Sequence, residues 1–410
     1  MKNPRQPGDL PIAIIGAGPI GLAMAAHLAG CNRRFMLLEA GEEAGHSIRE
    51  WRHVRLFTEW AGNIDSEADK LLGMTGWQRP AESEIPTGAE LLDDYLLPLA
   101  RHPAIRPHLK LSHKVEAISR RSVDKVKTDG RAAQPFLLRA TTLAGERLIE
   151  ASAVVDASGT WFNNNPLHSS GLWTDGERAA ASQIEYGIPD VQGQARALYA
   201  GRRVAVVGAG YSAINVILDL AELRKADSAT RISWVVRRTS VDSLLRGSGQ
   251  DLLLAQGWLG QRLRQLVEGG DVDIVASFET AAIGSEGDAV SLKDGSGRTL
   301  RTDRVVACTG FRPDLSLFRE LRVDIDPVSE SVRGLSALID PNRHSCYSVP
   351  VHGFEELAHG EPDFFVIGIK SYGRAPTFLL KTGYEQARAI AAALCGLKPV
   401  ERPKPSCAAE

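Results

Sequence analysis

The stretch Ile12-Ala13-Ile14-Ile15-Gly16-Ala17-Gly18-Pro19-Ile20-Gly21 decides the fold, and it has a second copy in Val204-Ala205-Val206-Val207-Gly208-Ala209-Gly210-Tyr211-Ser212-Ala213. Each is a short apolar run, then Gly-x-Gly, then a stretch of helix-forming residues. That order is the strand–turn–helix of a dinucleotide-binding βαβ unit. The first glycine permits the tight turn, and the second lets backbone approach a pyrophosphate. The third small residue, Gly21 or Ala213, lets helix pack on strand. Free N–H groups at the helix N-terminus then face the phosphates. Gly208 stands 192 residues after Gly16, so the chain is expected to bind two dinucleotides.

The residues downstream of each copy separate the two ligands. After Gly21 a helix runs through about Gly30, and a second strand, Phe35-Met36-Leu37-Leu38, ends on Glu39. An acid at that strand tip accepts hydrogen bonds from adenosine ribose hydroxyls and repels a 2′-phosphate. The first site therefore suits FAD or NAD. In the second copy the helix is read as Ser212–Leu223, and the strand Ile232-Ser233-Trp234-Val235-Val236 ends on Arg237-Arg238. Guanidinium groups there match a ribose 2′-phosphate through planar, charge-assisted hydrogen bonds, which points to NADPH.

Between and beyond the fingerprints the chain is ordinary α/β sequence. An amphipathic helix is expected over about Thr87–Ala100, with Leu91, Leu92, Tyr95, Leu96 and Leu99 at helical spacing. Residues 111–157 read as a β-meander through Val115–Ile118, Phe136–Ala140 and Ala153–Ala157, with the polar stretch 120–135 as a solvated hairpin tip. Pro166–Gly201 reads as a connection between domains. A strand pair is expected near Asp273–Ser277 and Ala289–Lys293. Asp303–Pro313 then echoes the close of the first half, an apolar strand running into Thr-Gly. Two halves that open on Gly-Ala-Gly and close alike make an internal duplication. Phe364–Gly368, a loop, and a helix from about Thr377 to Leu394 complete the body. The fold class is α/β with two Rossmann-like domains, the NADP domain inserted in the FAD domain. The expected limits are 1–195 and 309–396 for the FAD domain, 196–308 for the NADPH domain, and 397–410 as a disordered tail.

At 410 residues the chain is long enough for two or three domains, and 43% hydrophobic with 24% charged residues is ordinary globular composition. A net charge of −2 argues against a nucleic-acid or anionic-membrane partner. The five cysteines (31, 308, 346, 395 and 407) form no CxxC or CxxxxC pair. An odd, scattered set fits a reducing compartment and excludes a zinc ribbon and a spaced redox dithiol. No apolar run reaches ~18 residues, so the cytoplasm is the expected location.

On these motifs the chain resembles the flavoproteins with two dinucleotide-binding domains, and within them bacterial relatives of the flavin-containing (class B) and N-hydroxylating monooxygenases. Gly16, Gly18, Pro19, Gly21 and Glu39 carry the likeness for FAD, and Gly208, Gly210, Tyr211, Ser212 and Arg237 carry it for NADPH. Ala307-Cys308-Thr309-Gly310-Phe311-Arg312-Pro313 is similar to the family's Ala-Thr-Gly crossing between domains. Three departures stand out. No paired cysteines accompany the flavin motif, as disulfide reductases of this superfamily require. The class B signature with its histidine is absent from 160–200, where the chain reads Gln183-Ile184-Glu185-Tyr186-Gly187-Ile188-Pro189-Asp190 and the nearest histidine is His168. Gly368-Ile369-Lys370-Ser371-Tyr372-Gly373-Arg374 replaces the usual Gly-Asp before the last helix.

The resemblance implies an FAD- and NADPH-dependent oxidoreductase, a monooxygenase acting on a soft heteroatom (N, S or As) of a small molecule, with oxygen as co-substrate and a flavin C4a-peroxide as the oxygenating species. Such chemistry needs an apolar, water-poor pocket with a few donors. Trp51, Phe57, Trp60 and Phe378 are candidate walls; Arg55, Asn63, Ser371, Tyr372 and Arg374 are candidate donors. Of these, Tyr372, Arg374, Arg55 and Asn63 are the candidate catalytic residues, and Trp51, Thr309, Gly310, Lys370, Ser371 and Thr377 join the fingerprints as cofactor-binding candidates. Lys370 and Arg374 would offset the charge of a reduced flavin, and a helix starting near Thr377 would aim its N-terminus at the flavin pyrimidine. Two alternatives remain open at this level: an NAD(P)H:acceptor oxidoreductase feeding a quinone, an iron–sulfur protein or oxygen, and a redox-responsive binding module. No metal site is expected.

Overall fold

The computed structural model describes residues 10–241, 254–341, 343, 349–350 and 352–397. In chain order the strands of the first half are β1 (Ile12–Ile15), β2 (Phe35–Leu38), β3 (Leu109–Lys110), β4 (His113–Arg120), β5 (Phe136–Thr142), β6 (Gly145–Ala151) and β7 (Ala153–Asp156). The remaining strands are β8 (Ile184–Tyr186), β9 (Arg203–Val207), β10 (Arg231–Val235), β11 (Asp273–Val275), β12 (Thr280–Glu286), β13 (Ala289–Asp294), β14 (Thr299–Thr302), β15 (Arg304–Ala307) and β16 (Phe364–Val366). The helices that matter here are α1 (Pro19–Gly30), α2 (Ser66–Gly73), α3 (Tyr211–Ala226) and α4 (Leu380–Leu394).

The chain divides into two compact units. The first comprises the residues up to Arg52, Glu59–Trp161 and those from Arg312 on; the second comprises His53–Thr58 and Phe162–Phe311. In the first unit a five-stranded sheet in the order β16-β7-β1-β2-β3 is parallel throughout, and β4-β5-β6 form an antiparallel sheet. The second unit repeats the plan with β11-β10-β9-β15-β8, all parallel, and an antiparallel β12-β13-β14. Parallel strands buried on both faces read as unbroken apolar runs, and β1 and β7 are buried at all four positions. Helix α1 is buried from Ile20 to Ala26 and at Leu28, on both its flanks. A helix apolar all round belongs inside a layer; Ile20 meets α4, where a Cβ on Gly383 would stand 2.5 Å from its Cδ1.

Several expectations need correcting. The meander's third strand is β6, whose exposed first residues hid it; Ala153–Asp156 instead enters the parallel sheet beside β1, as its complete burial requires. Asp273–Val275 and Ala289–Asp294 do not pair with each other: the first extends the parallel sheet and the second is the centre of the antiparallel one. The segment from Pro166 to Gly201 is more than a connection, because β8 within it pairs with β15. The chain therefore passes between units at Trp161/Phe162 and Phe311/Arg312 rather than after residues 195 and 308. The last helix begins at Leu380, not near Thr377. From residue 398 the expected tail lies outside the described residues.

Polar residues 120–135 were expected as a solvated tip, yet two of their arginines are buried. Arg120 Nε donates to Glu361 Oε1 at 2.8 Å, Arg131 donates to Oε2 through Nη2 at 2.6 Å and Nε at 3.1 Å, and the Arg322 backbone N–H adds a fourth bond at 3.1 Å. All three side chains are within 4% of complete burial, and the Arg120 guanidinium lies 3.6 Å from the Phe136 ring centroid. This triad joins the β4–β5 connection to the segment just before β16, across 241 residues of sequence. Burial alone would raise the Glu361 carboxyl pKa, but hydrogen bonds from Arg131 and Arg120 outweigh it and hold the group below the usual range. A depressed folded pKa contributes stability above the unfolded value, and that stability is lost as pH falls through the folded one. Replacing Glu361 with Gln leaves two buried cations without their anion. Urea unfolding at pH 7 is expected to show a loss of about 3–5 kcal/mol, with a flatter acid limb of the stability curve than in the parent protein.

Candidate functional site

Each parallel sheet ends at a glycine turn built the same way. In the first unit Gly16 has φ +93°, and a Cβ there would stand 2.8 Å from the Ala157 carbonyl oxygen, just past β7. In the second unit Gly208 has φ +138°, and a Cβ would collide with the Cys308 carbonyl, just past β15. Left-handed backbone pressed on a neighbouring chain is a position only glycine fills at low cost. Gly18 and Gly210 differ: a Cβ on either would meet nothing within 4 Å. Both are the extended residues immediately before α1 and α3. The turns thus leave open space in front of two helix N-termini. Gly21 is a packing glycine, since a Cβ on it would collide with the Gly16 carbonyl oxygen, whereas the second unit has Ala213 at that place.

Glu39 closes the first turn from the side. It is 8% exposed; Oε2 accepts from the Ala17 backbone N–H at 2.7 Å and Oε1 from that of Gly41 at 2.8 Å. Each oxygen keeps a lone pair for a further donor. Trp51 is half-buried, its ring 6.1 Å from that of Trp161.

The loop after β16 is tied down at nearly every residue. Lys370 is 2% exposed; its Nζ donates to Asp156 Oδ2 at 2.7 Å and to Ser158 Oγ at 3.0 Å, and stands 4.8 Å from the Phe318 ring. Its charge is matched inside the fold, by the residue that ends β7, rather than left over to offset a reduced flavin as expected. Ser371 Oγ donates to the Gly368 carbonyl at 2.7 Å, and Gln386 of α4 accepts the Gly368 N–H at 2.7 Å while bonding Ser371 and His352. The Ser371 hydroxyl is thus engaged within the fold. Thr377 Oγ1 bonds the Ile339 carbonyl at 3.3 Å, three residues before α4, so it does not open that helix. Tyr372 is fully buried, edge-on to Phe378 with ring centroids 5.3 Å apart. Gly373 takes φ +60° against the Ser329–Ser331 backbone, where a Cβ would collide. Arg374 emerges there, exposed, with its Nε 3.5 Å from Glu330 and its backbone N–H on the Ser329 carbonyl at 2.7 Å.

Trp60 and Asn63 belong to a short helical turn, Trp60–Asn63, and are 3% and 0% exposed. The Asn63 carbonyl accepts the Tyr384 hydroxyl at 2.8 Å, and Tyr95 Oη accepts the Asp65 N–H at 3.0 Å. Asp65 caps α2 and reaches His27 of α1 at 3.1 Å. Burial, reinforced by the Asp65 charge, pushes both phenols above their ordinary range, so both stay neutral. Asp156, Gln386, His352, Tyr95 and Tyr384 were not singled out by sequence as site residues. Asp156 had a signal, an acid ending an otherwise apolar strand; the others carry none, since only folding brings them together.

In the second unit Tyr211 and Ser212 begin α3, and Arg237 and Arg238 are exposed past β10. Thr309 and Gly310 form a clasp rather than a free turn: Thr309 Oγ1 donates to the Asn165 carbonyl at 2.7 Å, and Asn165 N donates to that of Gly310 at 3.0 Å. Arg55 and Phe57 are a further correction. Expected beside the flavin residues of the first unit, they belong to the second, where the Phe57 ring stacks on Tyr211 at 4.9 Å and 20°.

The cysteines also differ from expectation. Cys31 and Cys395, 364 residues apart, form a disulfide with Cα atoms 6.5 Å apart, linking the C-terminal ends of α1 and α4. So long a separation has no spacing signature. Cys308 is free; burial pushes its thiol up to about 12, which keeps it protonated. Cys346 and Cys407 lie outside the described residues.

Residues 12–331 match the family described as pyridine nucleotide-disulphide oxidoreductase. The chain belongs to that family. A ferredoxin--NADP reductase of Granulibacter bethesdensis is 27% identical over 367 residues, 85% of this chain and 87% of that protein. Among solved structures, a bacillithiol disulfide reductase from Bacillus cereus superposes with TM-score 0.69 at 18% identity, covering 94% of this chain and 99% of its own. A cadaverine monooxygenase from Erwinia amylovora, bound to FAD, gives 0.67 at 15% identity, covering 98% and 97%. At such identities the structures bear on fold alone. This family member is a flavin-dependent pyridine nucleotide oxidoreductase, and its cofactors are FAD and NADPH.

The turns fit those groups. A pyrophosphate needs backbone without side chains in front of a helix N-terminus, and that is the open space at Gly18 and Gly210. The two first-unit glycines accordingly separate by experiment. Gly18→Val is expected to fold and melt near the parent temperature but to emerge colourless, because its side chain fills only the cofactor's space. Gly21→Val is expected to be insoluble or unfolded, because its side chain meets backbone. Circular dichroism and flavin absorbance of the two purified variants check this; a yellow Gly18→Val protein with full flavin content contradicts it.

Proposed function

We propose that this protein is an NADPH-dependent flavoprotein monooxygenase that oxygenates a nitrogen, sulfur or arsenic atom of a small molecule. The observation that carries the reading is the position of the cysteine pair. Helix α1 has 12 residues, so at 1.5 Å per residue the disulfide lies roughly 18 Å from the Gly18 turn. Among the described residues no dithiol adjoins that turn, so the electrons pass to something that diffuses in.

In this reading Gly16, Gly18, Pro19, Gly21, Glu39 and Trp51 hold FAD, and Gly208, Gly210, Tyr211, Ser212, Arg237 and Arg238 hold NADPH. Bound FAD supplies the redox chemistry, accepting hydride from NADPH and meeting oxygen. The chain's part is to orient and to keep water out. Asn63 and Tyr372 are fully buried and Trp60 nearly so, and they act as packed supports from which water is excluded, where a hydrogen bond is worth more than in water. Ser371 and Lys370 act at one remove: Lys370 fixes the Asp156–Ser158 turn on which Gly16 packs. Arg374 is the loosely held cation of the set, with a long pair to Glu330. Thr309 and Gly310 hold the crossing, and Thr377 anchors the approach to α4. We further place the protein in the cytoplasm, without membrane or nucleic-acid partners; among the described residues no helix is long and apolar enough to cross a membrane.

A second reading has its own support. The curated relative is a ferredoxin--NADP reductase, which favours NADPH:acceptor electron transfer without oxygen insertion. Turnover under 18O-labelled oxygen with a panel of primary amines, thioethers and trivalent arsenicals distinguishes the two. One labelled oxygen atom in the product is expected. Reduction of a ferredoxin with no label in any panel compound transfers the assignment to the second reading. In the same assay Arg374→Ala is expected to retain FAD and raise the ratio of hydrogen peroxide to product.

The arginine pair past β10 sets the coenzyme. Replacing Arg237 and Arg238 with Ala is expected to raise the KM for NADPH ten- to hundredfold, the equivalent of ~1.5–3 kcal/mol for lost charge-assisted bonds, with the KM for NADH nearly unchanged. Equal KM changes for both coenzymes contradict a 2′-phosphate contact.

A further inference from the structure

Six residues of the first half of the chain, His53–Thr58, leave their neighbours in sequence and join the second unit. The strap is anchored at both ends. At one end His53 is half-buried beside the backbone of Ile188 and Pro189. At the other the Phe57 ring lies nearly parallel to Tyr211, centroids 4.9 Å apart. Tyr211 directly follows Gly210, whose missing Cβ leaves open space, and it is the first residue of the 16-residue helix α3. Between the anchors Arg55 is exposed to solvent.

We propose that this strap is part of the NADPH site: Arg55 meets the pyrophosphate, and Phe57 is a positioning residue that fixes the Tyr211 ring at the mouth of the turn. The proposal rests on the reading that the second unit takes NADPH. A stacked aromatic pair keeps both rings in one orientation, so the approach to the helix N-terminus has a fixed wall. A guanidinium there adds to the partial positive charge of the helix end, and two phosphate groups match its planar donors. The division of labour follows from placement. Arg237 and Arg238 stand past β10, where the 2′-phosphate lies in this class of unit, while the strap stands at the turn that receives the pyrophosphate. Arg55 therefore contributes equally to NADPH and NADH.

The test is direct binding to the FAD-loaded protein. Dissociation constants for NADP+ and NAD+ are measured by calorimetry at two salt concentrations for the parent, Arg55→Ala, Arg55→Lys, Phe57→Leu and, as reference, Gly210→Val. Arg55→Ala is expected to weaken both nucleotides about tenfold and to reduce the salt dependence, with melting temperature and flavin content as in the parent. Arg55→Lys is expected to recover most of the loss. Phe57→Leu is expected to weaken both nucleotides several-fold and to raise KM for NADPH more than it lowers kcat. If Gly210→Val abolishes binding while Arg55→Ala stays within twofold of the parent, the strap is structural and the proposal is wrong. A loss confined to NADP+ overturns the pyrophosphate assignment. If Gly210→Val also binds as the parent does, the nucleotide lies elsewhere, and the proposal falls together with the reading on which it rests.

Discussion

The close approach of a glycine to a neighbouring backbone carbonyl sets the geometry of both units. Gly16 lies against Ala157 and Gly208 against Cys308, each at positive φ and each just beyond the strand that flanks its own. A side chain at either place would push apart two strands of a parallel sheet, so the constraint acts on the core before it acts on any ligand. Once the turn is closed, the next glycine has nowhere to point but outward, and the helix beyond it presents its free N–H groups to the same open space. Structure and ligand site are one consequence of one contact. The apolar strands on either side supply the rigidity: Ile12–Ile15 and Ala153–Asp156 are buried along their whole length.

Because the first unit is assembled from separated stretches of chain, it needs bonds between them, and two buried charge groups provide these. Lys370 and Asp156 join the loop after β16 to the end of β7. Glu361 with Arg120 and Arg131 joins the segment before β16 to the β4–β5 connection. Buried ion pairs add little net stability over apolar packing, and their worth lies in penalising the wrong arrangement. Here the wrong arrangement is a loop detached from the sheet edge at which a flavin is expected. The Ser371–Gln386–His352 network works in the same direction, each polar atom satisfied by another element. The exposed Arg374 stands outside that network, in a long pair with Glu330.

The same arrangement separates redox roles. A dithiol relay requires sulfur within contact of the flavin, and the described sulfur pair is a helix length away, tying α1 to α4 at their far ends. That bond strengthens the contact between the helix that begins at the Gly18 turn and the helix that closes the unit. It is a structural tie by position, whatever the acceptor of the electrons.

Much of this was legible in the chain. The two glycine fingerprints, Glu39 after one and Arg237-Arg238 after the other, set the fold class, the number of dinucleotides and their kinds, because these depend on local backbone geometry and on charges a fixed distance along it. Fully buried strands were legible as apolar runs, although the same runs could not say which sheet they join: Ala153–Asp156 reads alike as the end of a meander or the middle of a parallel sheet, and only burial on both faces decides. Long-range pairings left no trace. Cys31 with Cys395, Lys370 with Asp156, Glu361 with Arg120 and Arg131, and Tyr384 with Asn63 are matched across long separations, and no spacing rule reaches so far. The placing of Arg55 and Phe57 was likewise a tertiary decision. Their neighbours in sequence suggested the flavin unit; the stack on Tyr211 puts them with the other. Sequence by itself determined which cofactors the chain can hold, since that rests on turns and the charges beside them. Only the tertiary structure decided which distant groups neutralise one another, because burial forces every charge to find a partner wherever the fold brings one within reach.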